Sequence, residues 1–469
     1  MTMTPTAGAA ASALRAQMNG SVLEPDDPDF DQARRVWNGM IDLHPAVIAR
    51  PTSAEGVAAA IRVAREHDLP IAVRGGGHNV AGLATIDAGL VIDLWAMREI
   101  EVDPIRRSAR VEGGATWAEV DAATQPFGLA APGGVVSETG VAGLTLGGGM
   151  GWLRRKYGLS ADSLTGAEVV LADGSIVWTS ATERPELLWG LRGGGGNFGV
   201  VTTFEFALHP VGPEVAFAFV FYPVAAAAEV LRGHERIVAA DTAGDFSTLA
   251  VLGHIPPVDA FDPALHGASF VAVAAMHVGP VEAGMHALQP LRELAAPLVD
   301  MSGTQLYVDA QRIFDADYPI GHRYYWKSSR LPALSDAAIA RLVACLETAP
   351  SGHSTIDLWL NGGAMTAVGA DATAFGARDS AYLVSPEANW EDAADDAVNI
   401  AWARAVLDSV AADSAGGSYL NFPGVLEDAE TLVRTSFGGS YERLRELKRA
   451  YDPENRFRRN QNVAPGTTG

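Results

Sequence analysis

His78 stands directly behind three glycines, in the order Arg74-Gly75-Gly76-Gly77-His78-Asn79, just after the short β-like run Ile71-Ala72-Val73. Consecutive glycines let the chain turn through positive φ and aim several N–H groups into one concavity. Such a nest suits a pyrophosphate, and the missing side chains permit close approach. A bare glycine triplet is also a plain tight turn; Arg74 and His78 at its two ends favour a ligand. A second stretch carries eight glycines between 133 and 151, including Thr139-Gly140-Val141-Ala142-Gly143 and Gly147-Gly148-Gly149-Met150-Gly151-Trp152. Glycine costs conformational entropy in a packing element. A flat aromatic ligand lying against bare backbone explains the run, and a flexible lid is the alternative.

A third cluster, Gly194-Gly195-Gly196-Asn197-Phe198-Gly199, satisfies the spacing of the dinucleotide fingerprint. That fingerprint needs a strand before the glycines and a helix after them. The pattern here reads helix (185–191), glycines, then a period-two strand (200–208), so the Rossmann reading is rejected. Asp357 offers acid–base chemistry. Ile356, Leu358 and Leu360 alternate as the buried side of a strand, which leaves Thr355, Asp357 and Trp359 on the other face. That face can line a substrate cavity or meet solvent. Arg323-Tyr324-Tyr325-Trp326-Lys327 either roofs a pocket or packs a core. No zinc-protease, serine-hydrolase or paired metal-ligand spacing competes with these groups, and no metal is expected.

The elements around these motifs alternate between helix and strand signals. Apolar positions recur at helical spacing between Thr52 and His67, with Glu55 in the first turn. Leu90–Leu94 reads as a buried strand, Trp117–Thr124 as a helix, and Asp173-Gly174 as a hairpin turn. Past Pro213 the alternation of Phe217, Phe219 and Phe221 opens a second region containing alanine-rich helices. The expected layout is an N-terminal lead-in over 1–40, whose residues 1–30 read as flexible or loosely packed, and a glycine-rich ligand block over 41–210. An inserted α+β domain over 211–415 follows, and a segment over 416–469 returns to the first block.

The 469 residues are 48% hydrophobic and 19% charged, with a net charge of −22. A core of two or three domains is within reach, and disorder is excluded for most of the chain. So acidic a surface repels phosphate backbones, so no nucleic-acid partner is expected. Only Lys156, Lys327 and Lys448 are lysines; none completes a P-loop. One cysteine, Cys345, rules out a disulfide framework. Neither a signal peptide nor a long apolar span is apparent, and the expectation is a cytoplasmic protein. Oligomeric state is not readable.

Taken together, several motifs resemble the berberine-bridge-enzyme-like FAD-linked oxidases of the vanillyl-alcohol-oxidase superfamily. They are Arg74 to Asn79, Thr139 to Gly151, Arg155-Lys-Tyr-Gly-Leu-Ser-Ala-Asp162, Gly196 to Thr202, Tyr451 to Phe457 and Asn460 to Pro465. The resemblance runs from about residue 40 to 465. It implies an α+β fold: a two-part PCMH-type FAD-binding domain with an inserted α+β substrate domain built on an antiparallel sheet. It implies FAD bound covalently through His78. It further implies cofactor contacts from Arg74, Gly75, Gly76, Gly77, Asn79, Gly82, Thr139, Gly140, Gly143, Leu144, Gly148, Gly151, Trp152, Asn197, Gly199, Val201, Asn421 and Asn460. Where many relatives carry a second, cysteinyl link, this chain has Val136, so one linkage is expected. Thr139 occupies the place that influences oxygen access. Ser418-Tyr419-Leu420-Asn421-Phe422-Pro423 resembles the family's Tyr-x-Asn-Tyr segment beside the flavin, with Phe422 departing from it. Tyr419 is then a candidate base beside Asp357; its free pKa near 10 means a neighbour must help it act at neutral pH. The expected activity is hydride transfer from a small organic substrate to flavin N5, with dioxygen as acceptor. A dehydrogenase and a non-catalytic flavin binder are the alternatives.

Overall fold

The computed structural model describes residues 5–376, 378–424 and 429–466. The first block holds two sheets. In one, the parallel strands Val47–Pro51, Leu90–Asp93 and Ile71–Arg74 lie side by side, with Gly20–Leu23 antiparallel at the edge. Helix Ala54–Glu66 covers it, capped by the Ser53 side chain, which accepts from Gly56 N at 3.3 Å. Its buried side is continuous from Val57 to Ile61 because alanines fill the positions between the larger residues.

The second sheet is antiparallel, in the order Ile100–Asp103, Ser108–Glu112, Val200–Ala207, Leu164–Val170, Ile176–Ser180. Val200–Ala207 alternates buried and half-buried residues along most of its length, as its period-two sequence requires. The helix Pro185–Leu191 precedes the third glycine cluster and this strand follows it. The order that excluded the Rossmann reading is the order observed.

A large antiparallel sheet dominates the inserted region. Its main strands run Glu214–Pro223, Ser269–His277, Phe246–His254, Thr355–Leu360, Tyr382–Trp390, Arg323–Trp326. One face, with Val220, Val273, Ile356, Leu358 and Val384, packs beneath helices that include Ala227–Ala240, Asp336–Leu346 and Asp396–Ser409. The opposite face, with Phe219, Leu249, Asp357 and Trp359, looks into a cavity shared with the first block. Strand alternation therefore assigns each residue of this sheet either to the helix-covered core or to the cavity wall.

Among the described residues, the lead-in is not loose. Helix Pro5–Gln17 buries Ala10, Ala11 and Leu14 in the same core as Val57 and Ile61 of Ala54–Glu66. The alanines of this helix provide a smooth face that another helix approaches closely. Further on, Asn38 donates from Nδ2 to Val80 O (2.6 Å) and Tyr324 O (2.8 Å), and accepts from Tyr324 N (3.1 Å). Residues 37–39 thus join the loop behind His78 to the edge of the large sheet.

Candidate functional site

A cavity of about 620 Å³ lies between the glycine loops and the open face of the large sheet, within the range of small-molecule sites, roughly 300–1,000 Å³. Its first wall is backbone. Gly76 and Gly140 touch: a Cβ on Gly76 would sit 2.5 Å from Gly140 N. Trp117 N donates to Thr139 O (3.1 Å) and Val141 N to Ala115 O (2.9 Å), which pins the second glycine loop to the start of helix Trp117–Thr124. Gly147 leaves room for the Asn421 amide, whose Oδ1 a Cβ there would meet at 1.9 Å.

His78 lines this wall. Its Nε2 is buried and has no hydrogen-bond partner among the described residues. Desolvation lowers its pKa to about 4, so the ring is neutral at ordinary pH. The indole of Trp37 stacks on it at 4.2 Å, and Tyr324 stacks behind Trp37 at 3.7 Å. A buried, neutral imidazole with an open nitrogen beside a glycine cradle fits a flat, anionic cofactor whose ring it can carry.

Gly75, Gly76, Gly77, Asn79, Thr139, Gly140, Gly143, Leu144, Gly199, Val201, Asn421, Asn460, Tyr419 and Asp357 line the same cavity. Six other expected cofactor contacts stand behind the wall. Arg74 is spent in an ion pair with Asp93 (2.5 Å), which Arg50 also holds at 2.7 Å. Gly82 turns beside Ile41, Gly148 lies against the Phe375 ring, and Gly151 lies on Gly133 O. Trp152 is buried edge-on to Phe217, with centroids 5.2 Å apart. Asn197 donates to Gly194 O and Gln461 O and accepts from Val463 N, which ties the tail to the third glycine loop. Lys448 reinforces that tie from full burial, bonding Asn197 O, Asp452 and Phe457 O at 2.7–2.8 Å.

Residues 418–423 form a turn, not an extended run, with Phe422 N bonded to Tyr419 O at 3.0 Å. The turn still joins the expected pair: Asn421 Nδ2 donates to Tyr419 Oη at 2.8 Å. Gly149 N and Met150 N donate to the same oxygen at 3.1 Å each. Burial raises the Tyr419 pKa, and the three donors oppose the rise.

Asp357 lies where the alternation placed it, on the cavity face between Thr355 and Trp359. Thr355 Oγ1 donates to its Oδ1 at 2.9 Å. Desolvation, then nearby Asp317, pushes its pKa up to about 7. Three groups escaped the sequence reading. Glu387 stands diagonal to Asp357 on the neighbouring strand, since Asp357 pairs with Ser385 and Thr355 with Glu387. Tyr318 donates from its hydroxyl to Glu387 Oε2 at 2.7 Å. Asp317 lies one residue before it, at the end of the single 3-10 turn Asp315–Asp317, too short to give a periodic signal. Glu387 had no alternation to mark it either, because its strand Tyr382–Trp390 is buried along its whole length.

A bare, glycine-lined wall facing an acid-bearing antiparallel sheet is a site for a flat cofactor and a small organic molecule beside it. Residues 45–180 match a family of FAD binding domains, and residues 418–464 match the berberine and berberine-like family. The chain is 32% identical to (R)-6-hydroxynicotine oxidase of Paenarthrobacter nicotinovorans, over 96% of this chain and 97% of the relative. It is 30% identical to the uncharacterized FAD-linked oxidoreductase YgaK of Bacillus subtilis, over 96% and 98%. The solved 6-hydroxy-D-nicotine oxidase from Arthrobacter nicotinovorans superposes with a TM-score of 0.84 at 30% identity, over 96% of this chain and 98% of that one. A berberine-bridge-like protein of Physcomitrella patens shares the fold at a TM-score of 0.86 and 21% identity, over 98% and 100%. The chain belongs to the berberine-bridge-like FAD-linked oxidoreductases.

Proposed function

We propose that this oxidoreductase carries FAD covalently on His78, oxidises a small organic substrate bound against the large sheet, and returns the electrons to dioxygen with release of H2O2. The observation that carries the reading is the cavity itself: the open imidazole of His78 and the open carboxylate of Asp357 face one enclosed space. Bound FAD would supply the hydride acceptor, N5, which no side chain can provide.

The chain's own residues do the rest. The Gly76–Gly140 contact leaves bare backbone, without side chains, where a flat cofactor would lie. The Tyr419 oxygen is held by three N–H donors and its pKa is raised, so it is a neutral phenol that orients its surroundings. Asp357 is the better base. One of its oxygens accepts only from Thr355, the other has no donor among the described residues, and its pKa lies near the operating range. It takes the proton from the substrate O–H or N–H as the neighbouring carbon gives up its hydride. Val136 lines the wall with no thiol, which supports a single flavin link.

Substrate-dependent flavin bleaching without oxygen, followed by peroxide on admission of air, tests the proposal. Bleaching that reverses only with a dye acceptor identifies a dehydrogenase. A coloured protein that no alcohol, sugar, phenol or amine bleaches is a flavin binder.

A further inference from the structure

We propose that the substrate end of the cavity selects a cation: a protonated amine or quaternary ammonium group seated among Asp317, Asp357 and Glu387. This rests on the reading of the cavity as the substrate site and adds the charge class of its occupant.

Three carboxyl groups converge on one end of the cavity. Asp357 and Glu387 are each 2% exposed and diagonal on paired strands, where side chains on one face interact. Glu387 accepts from Tyr318 (2.7 Å) and Ser385 (3.4 Å), and both donors are neutral hydroxyls. Asp357 Oδ2 and the Asp317 carboxylate have no partner among the described residues. A buried carboxylate without a cation is costly, and fixed positive charge is missing here. Among the described residues lining the cavity, the only guanidinium or ammonium is Arg459. It donates to Thr85 O and Gly82 O at the His78 end.

The walls suit the same ligand. Trp326, Trp359, Tyr318 and Phe422 line the cavity, with Trp326 and Phe422 edge to face at 5.6 Å. Aromatic faces attract cations once water is removed. A neutral polyol would also bond to the carboxyl groups, but it brings no charge to pair with them once they ionise.

Without a compensating cation, buried carboxyl groups meet the cost by keeping their protons. Desolvation raises Asp357 to about 7, Asp317 to about 6 and Glu387 well above its ordinary value. Tyr318, between them, is raised as well. The other titratable side chains facing this end are His254, His322 and His353, the last two within 4.0 Å of Glu391. A cation binds the ionised carboxyls, so its binding expels protons, and its affinity rises with pH until those groups are ionised without it. Each unit by which the cation lowers a carboxyl pKa corresponds to about tenfold in affinity.

The test compares benzyltrimethylammonium, benzyl alcohol, benzoate and xylobiose on the flavin-loaded protein, by calorimetry in two buffers of different ionisation enthalpy. The expected result is benzyltrimethylammonium at least about tenfold tighter than either neutral probe, benzoate weakest, and proton release between pH 5.5 and 7.5. Asp357→Asn and Glu387→Gln should each weaken the cation about tenfold while bound flavin stays constant. Because either change could disturb folding, Tyr318→Phe is the second readout: it keeps all three carboxyls, so the preference for the cation should persist. Neutral probes binding as tightly as the cation, or cation binding without proton release, overturn the proposal. Loss of the flavin reading is separately visible as colourless protein, on which the same probe comparison still reports the charge of the cavity.

Discussion

The indole of Trp37 lies flat on the imidazole of His78, with ring centroids 4.2 Å apart and planes inclined by 17°. Trp37 is itself held by its Nε1, which donates to Tyr318 O at 2.9 Å, and by the Tyr324 ring behind it. The edge of the substrate sheet therefore fixes the orientation of the ring on the cofactor wall. Stacked pairs of this kind contribute about 0.5–1.5 kcal/mol beyond area burial. In Trp37→Leu, FAD content should stay near stoichiometric while the fraction resisting acid precipitation falls. An unchanged covalent fraction would reduce Trp37 to packing.

Acid-precipitated wild-type protein should give a yellow pellet, and His78→Ala should release the colour to the supernatant. Mass spectrometry of a digest should place flavin on the His78 peptide alone. Flavin on the Cys345 peptide would overturn the single linkage.

The choice of base is decided kinetically. Asp357→Asn should slow anaerobic flavin reduction by roughly 10²–10⁴-fold, whereas Tyr419→Phe should slow it far less. An aspartate acts as a base only when ionised. With Asp357 raised to about 7 in the free enzyme, the second-order rate of wild-type flavin reduction, measured well below saturating substrate, should climb with pH to near 7 and flatten above. An ordinary aspartate, with a pKa near 3.9, would give a flat profile from pH 5.5 upward. Collapse of the Tyr419→Phe rate with Asp357→Asn unaffected would reverse the assignment.

Gly76→Ala drives a methyl group into backbone, 2.5 Å from Gly140 N and 2.6 Å from its Cα. Neither atom belongs to a movable side chain. Overpacking of this sort costs about 1–3 kcal/mol, and the expected result is protein of lowered stability with little bound FAD. Full flavin loading in this variant would show that the loops do not need their close contact.

Lys448 and Asp452 form a fully buried ion pair at 2.7 Å. Removing one partner of such a pair costs about 3–5 kcal/mol, because the other charge is left unmatched. Lys448→Met should therefore detach the 457–463 segment, visible as increased amide exchange there and weakened FAD binding. Wild-type exchange rates would show that Asn197 alone anchors the tail.

The sequence by itself determined the glycine loops, the strand that turns Asp357 away from Ile356 and Leu358, and the segment order that excludes a Rossmann site. Each is a local property. Glycine announces bare backbone, and period two assigns a strand residue to a face wherever the strand lies. It also supplied the motifs whose family resemblance the comparisons establish. Only the tertiary structure decided which of those residues meet the cavity. Arg74 looked like a ligand group beside the nest, but Asp93, 19 residues later, claims it. Trp152 followed its glycines into a core with Phe217. Trp37, Asp317 and Glu387 gave little or no local signal, because the contacts that define them cross from one chain segment to another. His78 meets Trp37 across 41 residues, and Glu387 meets Tyr318 across 69. Such contacts arise when strands pair and sheets pack, so neither composition nor periodicity carries them.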